Sequence, residues 1–335
     1  MPRSRAARPA PAPAGPFVTV VIATRNRVRE LFRTLAVLAQ LPEQPTVVVV
    51  DNASTDGTPE AVRERYPEIE VIALPRNRGA CARNVGVAIA PTPHVAFSDD
   101  DSWWEPGSLR RAVMMLEDFP EVGLVAARTL VGSAGTPDPV NAAMRESPLP
   151  CGQLPGPRVL GFLACAAVVR RAAFLAVGGF NELLFIGAEE RLLALDLAAA
   201  GWGAAYVDEV VARHWPSAAR DETERRRLLA RNEVLIDWLR RPAATALAAT
   251  GRLVLRARTD RAAAGAIASL LPVLPFALLQ RRVLPPHVEA QVRLLDSCAE
   301  LPLSQADTSR GADRSRRLGP ARRVATCDCS QQGGT

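Results

Sequence analysis

The sequence predicts an α/β protein with a mainly parallel sheet flanked by helices, followed by a helical C-terminal extension. Short apolar runs rich in valine alternate with amphipathic segments over the first two thirds of the chain, and polar clusters follow several of these runs. Strands that alternate with helices are typical of a parallel sheet covered on both faces. The chain of 335 residues is 48% hydrophobic and 23% charged, which suits a globular protein with a sizeable core.

The predicted elements follow from periodicity. The run over 18–23 is apolar throughout and predicts a buried strand, whereas 29–41 repeats its apolar residues at helical spacing. The predicted strands are 18–23, 46–50, 69–74, 94–98, 122–132, 162–171 and 204–214, and the predicted helices are 29–41, 58–66, 79–90, 106–119 and 187–202.

Composition divides the chain into four parts. Residues 1–16 are rich in proline, alanine and arginine, and 303–335 are polar, so both are expected to be disordered tails. Residues 17–217 carry the strand and helix alternation, and 218–302 are helical and rich in arginine. The stretch 262–280 has no charge and the length of a membrane span, but it contains Pro272 and Pro275. We therefore expect a packed or interfacial helix pair there, and membrane contact stays open.

Charge and cysteine content indicate which partners and which cellular compartment to expect. All 41 basic residues counted as Lys+Arg are arginine, and much of the net charge of +6 lies in the tails, so we expect no nucleic-acid partner. The six cysteines lack the paired spacing of a zinc site, which favours reduced thiols. The first residues include no apolar leader. We expect a cytoplasmic protein, with peripheral association at the inner membrane face left open.

Three adjacent carboxylates, Asp99, Asp100 and Asp101, follow the apolar strand 94–98. They repel one another, so the cluster needs a counter-charge. Carboxylate oxygens suit Mn²⁺ or Mg²⁺, which also take phosphate oxygens. In an extended loop, Asp99 and Asp101 would point to the same side. A solvated acidic turn is the alternative. The polar stretches 24–27 and 51–58 also follow strands, and strand ends of a parallel sheet converge on one crevice.

Six motifs in this order resemble the inverting family 2 glycosyltransferases of the GT-A fold, over about residues 17–217. They are VVIATRNR, VVVVDNASTDGT, NRGACARNVGVAIA, FSDDD, GGFNELLFIGAEERLLALDLAAAGW and HWPS. Ala23 stands where proline is usual in that family, and Glu190 stands where aspartate is common. The resemblance implies a GT-A catalytic domain over 17–217.

The resemblance also implies roles for individual residues. Glu190 would be the general base, with Glu189 as the fallback. Asp51 would accept a hydrogen bond from the nucleotide base. The remaining expected roles are nucleotide-sugar binding by Thr24, Arg27, Arg83, Asp99 and Asp100, and metal binding by Asp99, Asp101 and His214.

The implied reaction is metal-dependent, inverting transfer of a sugar from a nucleoside diphosphate sugar to a hydroxyl acceptor. A lipid-linked glycan, a cell-surface polysaccharide and a secondary metabolite all stay open as acceptors, and so does the oligomeric state. A nucleotidyltransferase-like enzyme is one alternative function. Such an enzyme is expected to have a glycine-rich basic loop after the first strand, and TRNRVREL has no glycine. A catalytically inactive sugar-nucleotide-binding scaffold is the other, and only the glutamate at position 190 favours it.

Two further groups have alternative interpretations. Trp103 and Trp104 belong either to a sugar or acceptor wall or to the core beneath the loop. Arg220, Arg231 and Asn232 lie either on a solvated helix face or beside a diphosphate or acceptor phosphate.

Overall fold

A computed structural model describes residues 17–216 and 222–300 of the chain. The predicted tails 1–16 and 303–335, and Arg220, lie outside the described residues.

The first half alternates strands and helices as predicted, with small shifts at the ends. It contains β1 (Thr19–Thr24), α1 (Val28–Leu38), β2 (Thr46–Asp51), α2 (Thr58–Arg65), β3 (Glu70–Ala73), α3 (Ala82–Ile89), β4 (His94–Asp99), β5 (Ser102–Trp104) and α4 (Ser108–Asp118). A 3₁₀ turn over Gly79–Cys81 precedes α3 and takes the beginning of the predicted helix 79–90.

The second half is less regular and holds elements that the sequence pattern did not predict, notably α5 and α6. It contains β6 (Val122–Val131), β7 (Thr136–Pro137), α5 (Pro139–Arg145), β8 (Ala167–Arg170), α6 (Arg171–Ala176), α7 (Glu189–Ala199) and β9 (Gly203–His214). The predicted strand 162–171 is shorter in the structure, because a 3₁₀ turn over Ala164–Ala166 occupies its first half. The C-terminal helices are α8 (Glu222–Arg240), α9 (Ala243–Arg256), α10 (Arg261–Leu270), α11 (Leu274–Leu279) and α12 (Pro286–Glu300).

The strands form one mixed sheet in the order β3-β2-β1-β4-β8-β6-β9-β5, with β7 paired to β6. The β3-β2-β1-β4 half is parallel, β8 is antiparallel to both β4 and β6, and β9 is parallel to β6. Most strands therefore share one direction, and β5, β7 and β8 run against it. β5 follows β4 after only Asp100 and Asp101, too short a link for a parallel crossover. The α/β class and the helical C-terminal region are confirmed.

Both faces of the sheet are covered, which explains the uninterrupted apolar runs. In β1, Val20 and Ile22 belong to one core cluster, whereas Val21 belongs to the cluster on the other face. Successive side chains of a strand point to opposite faces, so a strand buried on both faces needs apolar residues at every position.

A third core cluster joins α7 to the C-terminal helices, with Leu192, Leu235 and Leu270 among its buried residues. The stretch 262–280 forms the two short helices α10 and α11, and the side chains of Ala263, Ala266 and Ala277 are buried in this cluster. The expected helix pair is present, with these alanines packed against the core. Within 17–216 and 222–300, no helix has both the length and the apolar character needed to cross a bilayer.

Candidate active site

The carboxyl ends of β1, β4 and β9 open into a cavity of about 680 Å³, a size that suits a ligand such as a nucleotide sugar. Most of the residues singled out from the sequence line it: Thr24, Arg27, Arg83, Asp99, Asp100, Glu189, Glu190 and His214. The two others are almost fully buried: Asp51 is the last residue of β2, and Asp101 lies in the turn between β4 and β5.

Two of the three adjacent aspartates belong to a possible metal-binding group. Asp99, Asp101 and His214 each offer one ligand atom, and these atoms lie within 4.8 Å of one another. His214 Nε2 is 3.4 Å from Asp101 Oδ1 and makes no hydrogen bond to any described residue. Two carboxylates and one imidazole that converge in this way form a donor set suited to a divalent cation.

Asp100 does not belong to this donor set and has partners of its own. Its carboxylate accepts hydrogen bonds from Arg27 Nη1 at 2.6 Å and from Thr24 Oγ1 at 3.0 Å. Burial raises the pKa of Asp100 to about 7, although Arg27 opposes the shift. Arg27 Nη1 also lies 3.0 Å from Asp101 Oδ2, so its guanidinium supplies part of the counter-charge that the three aspartates need.

Arg83 lies between the acidic cluster and the glutamate pair. Its guanidinium donates to Asp99 and acts electrostatically on Glu189 and Glu190. Burial alone would lower the pKa of Arg83, but the carboxylates of Asp99 and Glu189 outweigh it and raise the pKa. Arg83 Nε is buried and makes no hydrogen bond within the described chain. The cation stays charged in a cavity lined by acids.

Glu189 and Glu190 open α7, where the helix dipole favours negative charge. Burial and the neighbouring Glu189 raise the pKa of Glu190 to about 8, and burial also raises the pKa of Glu189. Glu189 is buried, whereas Glu190 is partly exposed and lies 3.4 Å from the backbone nitrogen of Ala164. A carboxylate with its pKa near neutrality and access to a cavity suits a general base.

The loop before α7 is held in an unusual conformation. Phe185, Gly187 and Ala188 all have positive φ angles, of 62°, 93° and 63°. This conformation leaves loop carbonyls that need donors, and α8 supplies them. Asn232 Nδ2 lies 2.9 Å, 3.0 Å and 2.5 Å from the carbonyl oxygens of Leu184, Ile186 and Gly187.

The expectation of a solvated or phosphate-contacting face at Arg231 and Asn232 is therefore wrong. Asn232 is fully buried, and Arg231, which is 8% exposed, donates to the carbonyls of Leu183 and Leu184. Neither residue lines the cavity, because both are occupied in holding the loop that leads to Glu189 and Glu190.

The same loop is fixed from the side of the sheet. The backbone nitrogen of Ala80 donates to the carbonyl of Phe185 at 2.7 Å, and Asn52 Nδ2 donates to the carbonyl of Gly79 at 3.0 Å. A Cβ at Gly79 would lie 2.1 Å from the Phe185 oxygen, so only glycine allows this approach.

Asp51 lies at the end of β2 with one oxygen committed to a turn. Its Oδ2 accepts from the backbone nitrogen of Ser54 at 2.9 Å, and its Oδ1 has no hydrogen-bond partner among the described residues. Asn52, rather than Asp51, lines the cavity.

The tryptophans after the acidic cluster do not line the cavity. Trp104 is fully buried in the core, which is the packing alternative. Trp103 stacks on Trp215 with ring centroids 6.4 Å apart, and Arg33 lies over both rings.

Sequence reasoning missed two walls of the cavity. One is the segment before β8 and the other is the start of α8; their lining residues are Phe162, Leu163, Ala164, Cys165, Glu224, Arg225, Leu228 and Leu229. The reversed direction of β8 brings its beginning to the carboxyl edge of β4. No local sequence pattern predicts that β8 runs in the reverse direction. The apolar residues of α8 likewise do not indicate which surface of the protein they cover.

Comparison with known proteins agrees with this geometry. Residues 19–177 match the model of the family described as glycosyl transferase family 2. The chain is 29% identical over 234 residues to an N-acetylglucosaminyl-diphospho-decaprenol L-rhamnosyltransferase of Mycobacterium tuberculosis, covering 58% of this chain and 75% of that protein. Residues 19–177 therefore form a glycosyl transferase family 2 domain. The protein is a glycosyltransferase, which removes the nucleotidyltransferase interpretation.

Two further relatives fit this family assignment. The pre-mycofactocin glycosyltransferase of Mycobacterium tuberculosis is 32% identical over 186 residues, which cover 54% of this chain and 39% of that protein. A solved mannosyltransferase from Pyrobaculum calidifontis, in complex with GDP-Man and Mn²⁺, superposes with a TM-score of 0.54 and 24% identity, covering 88% of this chain and 79% of that one. This likeness supports the GT-A fold.

Proposed function

We propose that the family 2 glycosyltransferase described here is metal-dependent and inverting, and transfers a sugar from a nucleoside diphosphate sugar to a hydroxyl of a lipid-linked glycan. The observation that carries the proposal is the cavity in which a divalent-cation donor set and a pair of glutamates with raised pKa lie on either side of Arg83.

The residues present fit a divalent cation. Asp99, Asp101 and His214 direct ligand atoms to one point, and the buried His214 Nε2 makes no hydrogen bond to the described chain. Bound Mn²⁺ or Mg²⁺ would supply positive charge that stabilises the departing nucleoside diphosphate. The choice between the two metals is part of the proposal to be tested.

The side chains of the cavity have separate roles in donor binding and proton transfer. Arg83 carries a buried positive charge at the cavity wall and binds phosphate oxygens of the donor. Thr24, Arg27, Asp51 and Asp100 form the nucleotide side of the site. Glu190 takes the proton from the acceptor hydroxyl, whose own pKa is far above neutrality. A single displacement by that oxygen inverts the configuration at the anomeric carbon, and the nucleoside diphosphate leaves with the bonding electrons.

Two observations support a lipid-linked acceptor. The rhamnosyltransferase relative is named for an N-acetylglucosaminyl-diphospho-decaprenol acceptor. Phe185 and Ile186, in the loop before α7, line the cavity, yet they are 36% and 49% exposed, so the cavity has an apolar rim beside the glutamate pair. The peripheral association with a membrane that such an acceptor needs is likewise proposed.

The test is a turnover assay with a panel of nucleoside diphosphate sugars and a short-chain prenyl-diphosphate-linked N-acetylglucosamine, with and without Mn²⁺ or Mg²⁺. We expect metal-dependent formation of a glycosylated lipid whose new linkage, read by NMR, has the anomeric configuration opposite to that of the donor. Retained configuration would refute the inverting mechanism. Equal turnover in EDTA would refute metal dependence. Transfer only to water-soluble acceptors would refute the lipid-linked acceptor.

A further inference from the structure

Residues 271–283 carry a cluster of apolar side chains that the described part of the chain leaves uncovered. The exposed fractions are 62% for Leu271, 57% for Phe276, 48% for Leu278, 85% for Leu279 and 55% for Val283. Single exposed apolar residues are ordinary, but a cluster of large ones in one short segment marks an interaction surface. Ala277 and Leu284 of the same region are buried in the third core cluster, so the segment that carries the exposed side chains is packed against the protein.

The charged residues in the sequence around this surface are of one sign. No acidic residue occurs between Asp260 and Glu289, whereas Arg261, Arg281 and Arg282 do. The Arg281 guanidinium donates to the backbone carbonyls of Trp238 and Arg241 rather than to a carboxylate. Arg282 is exposed and forms no ion pair among the described residues.

We propose that residues 271–283 dock the enzyme on the surface of an anionic phospholipid bilayer. Apolar side chains beside uncompensated arginines bind such a surface, because the apolar groups enter the boundary of the acyl chains while the arginines contact lipid phosphates. The helices α10 and α11 are too short to cross the bilayer, so the segment lies along it. A second copy of the chain fits less well, because a symmetric contact would bring the arginines of both copies together.

Contacts connect this surface to the cavity. Asn181 Nδ2 donates to Gln280 Oε1 at 3.0 Å, and Arg240 Nη1 lies 3.3 Å from the Gln280 carbonyl oxygen. Asn181 begins the loop that carries the exposed Phe185 and Ile186 to the cavity rim. Docking through 271–283 therefore brings the acceptor side of the cavity near the bilayer. This inference assigns a surface to the membrane association proposed above and rests on it, although docking itself needs neither donor nor acceptor.

Flotation of the full chain with vesicles tests the proposal, using phosphatidylcholine alone and phosphatidylcholine with about a third phosphatidylglycerol. We expect the wild-type protein to float with the anionic vesicles and to be released by high salt. Leu279→Ser, at a side chain that is 85% exposed, should lower the partition coefficient about tenfold. Arg282→Gln should lower it about threefold to fivefold on anionic vesicles only. Ile89→Ser, at an apolar residue of α3 that is 46% exposed, is the matched control and should bind as the wild type does.

The proposal fails if the wild-type protein floats with neither vesicle, or if Leu279→Ser and Ile89→Ser bind equally. It also fails if the wild-type protein is a dimer that Leu279→Ser converts to a monomer without any change in flotation, since the occupant is then a second copy. Glu190→Gln should float normally. A chain that floats but transfers no sugar refutes the proposed reaction alone, and a chain that transfers sugar but never floats refutes the membrane association and its docking surface alone.

Discussion

Glu190→Gln should remove the group that accepts the acceptor's proton while leaving the donor site intact. General base catalysis contributes about 10²–10⁴-fold, so kcat should fall by about that factor. The dissociation constant of the donor nucleotide should change by less than about twofold, because Glu190 lies across the cavity from the acidic cluster and contacts Ala164 rather than Asp99 or Asp101.

The pH dependence of kcat/KM for the wild-type enzyme tests the role of Glu190 more directly, because its size follows from the pKa of this residue. With the pKa of Glu190 at about 8, about a hundredth of the carboxyl is ionised at pH 6 and about a tenth at pH 7. The value of kcat/KM should therefore rise about tenfold between pH 6 and 7, and level off above about pH 9. Glu189→Gln removes a negative neighbour that raises this pKa, so the same rise should occur at lower pH.

The stability of the fold should fall as the pH rises, whereas kcat/KM increases. The pKa of Glu190 is raised on folding, so its contribution to stability is fully present below about pH 4.5 and is lost as the pH rises through about 8. Glu190→Gln should accordingly melt a few degrees above the wild type at about pH 9, with the difference vanishing near pH 4. Turnover by Glu190→Gln within tenfold of the wild type, or a flat kcat/KM profile between pH 6 and 8, would refute the base assignment.

Three further experiments, with four variants, test the geometry of the site. Asp101→Asn keeps the shape of a fully buried ligand but removes its charge, so calorimetry should show Mn²⁺-dependent nucleotide binding weakened at least about tenfold; an unchanged affinity would refute the metal role. Asn232→Ala removes the amide donor from three loop carbonyls, of which only that of Leu184 keeps another donor, Arg231; this should cost about 1–3 kcal/mol in chemical unfolding and lower kcat more than donor affinity, and an equal loss of both would contradict a role in positioning the glutamates. Gly79→Ala and Gly57→Ala both place a side chain at positive φ, but only the former sets a Cβ 2.1 Å from the Phe185 oxygen, so only Gly79→Ala should lose most of its turnover, beyond the roughly 1 kcal/mol strain that both share. Similar activity in the two glycine variants would show that the contact with the Phe185 loop does not matter.

The residues at the strand ends could be predicted from the sequence because each follows from a local rule. Apolar runs define β1 and β4, parallel strands converge at one edge, and Asp99 comes at that edge in sequence order. Glu189 and Glu190 open α7 and could be placed on the resemblance of the GGF and AAAGW segments around them. These predictions needed no knowledge of long-range packing.

The closure of the cavity could not be predicted in the same way, because it depends on pairings between distant segments. The reversed β8 brings Phe162 and Cys165 to the cavity wall, and the apolar positions of α8 give no indication of what they cover. Asn232 was misjudged for a physical reason. A polar residue in a charged helix is usually solvated, and it is buried here only because a loop with three left-handed residues offers it carbonyl oxygens.

Calorimetric binding of UDP, dTDP, GDP and CDP to the full chain, each with and without Mn²⁺, tests the central claim most directly. We expect one nucleoside diphosphate to bind and its binding to require the metal. Asp101→Asn should lose most of the affinity that Mn²⁺ confers. Binding of none of the four, or equal binding with and without Mn²⁺, would contradict the account. The cavity would then not be a metal-dependent donor site.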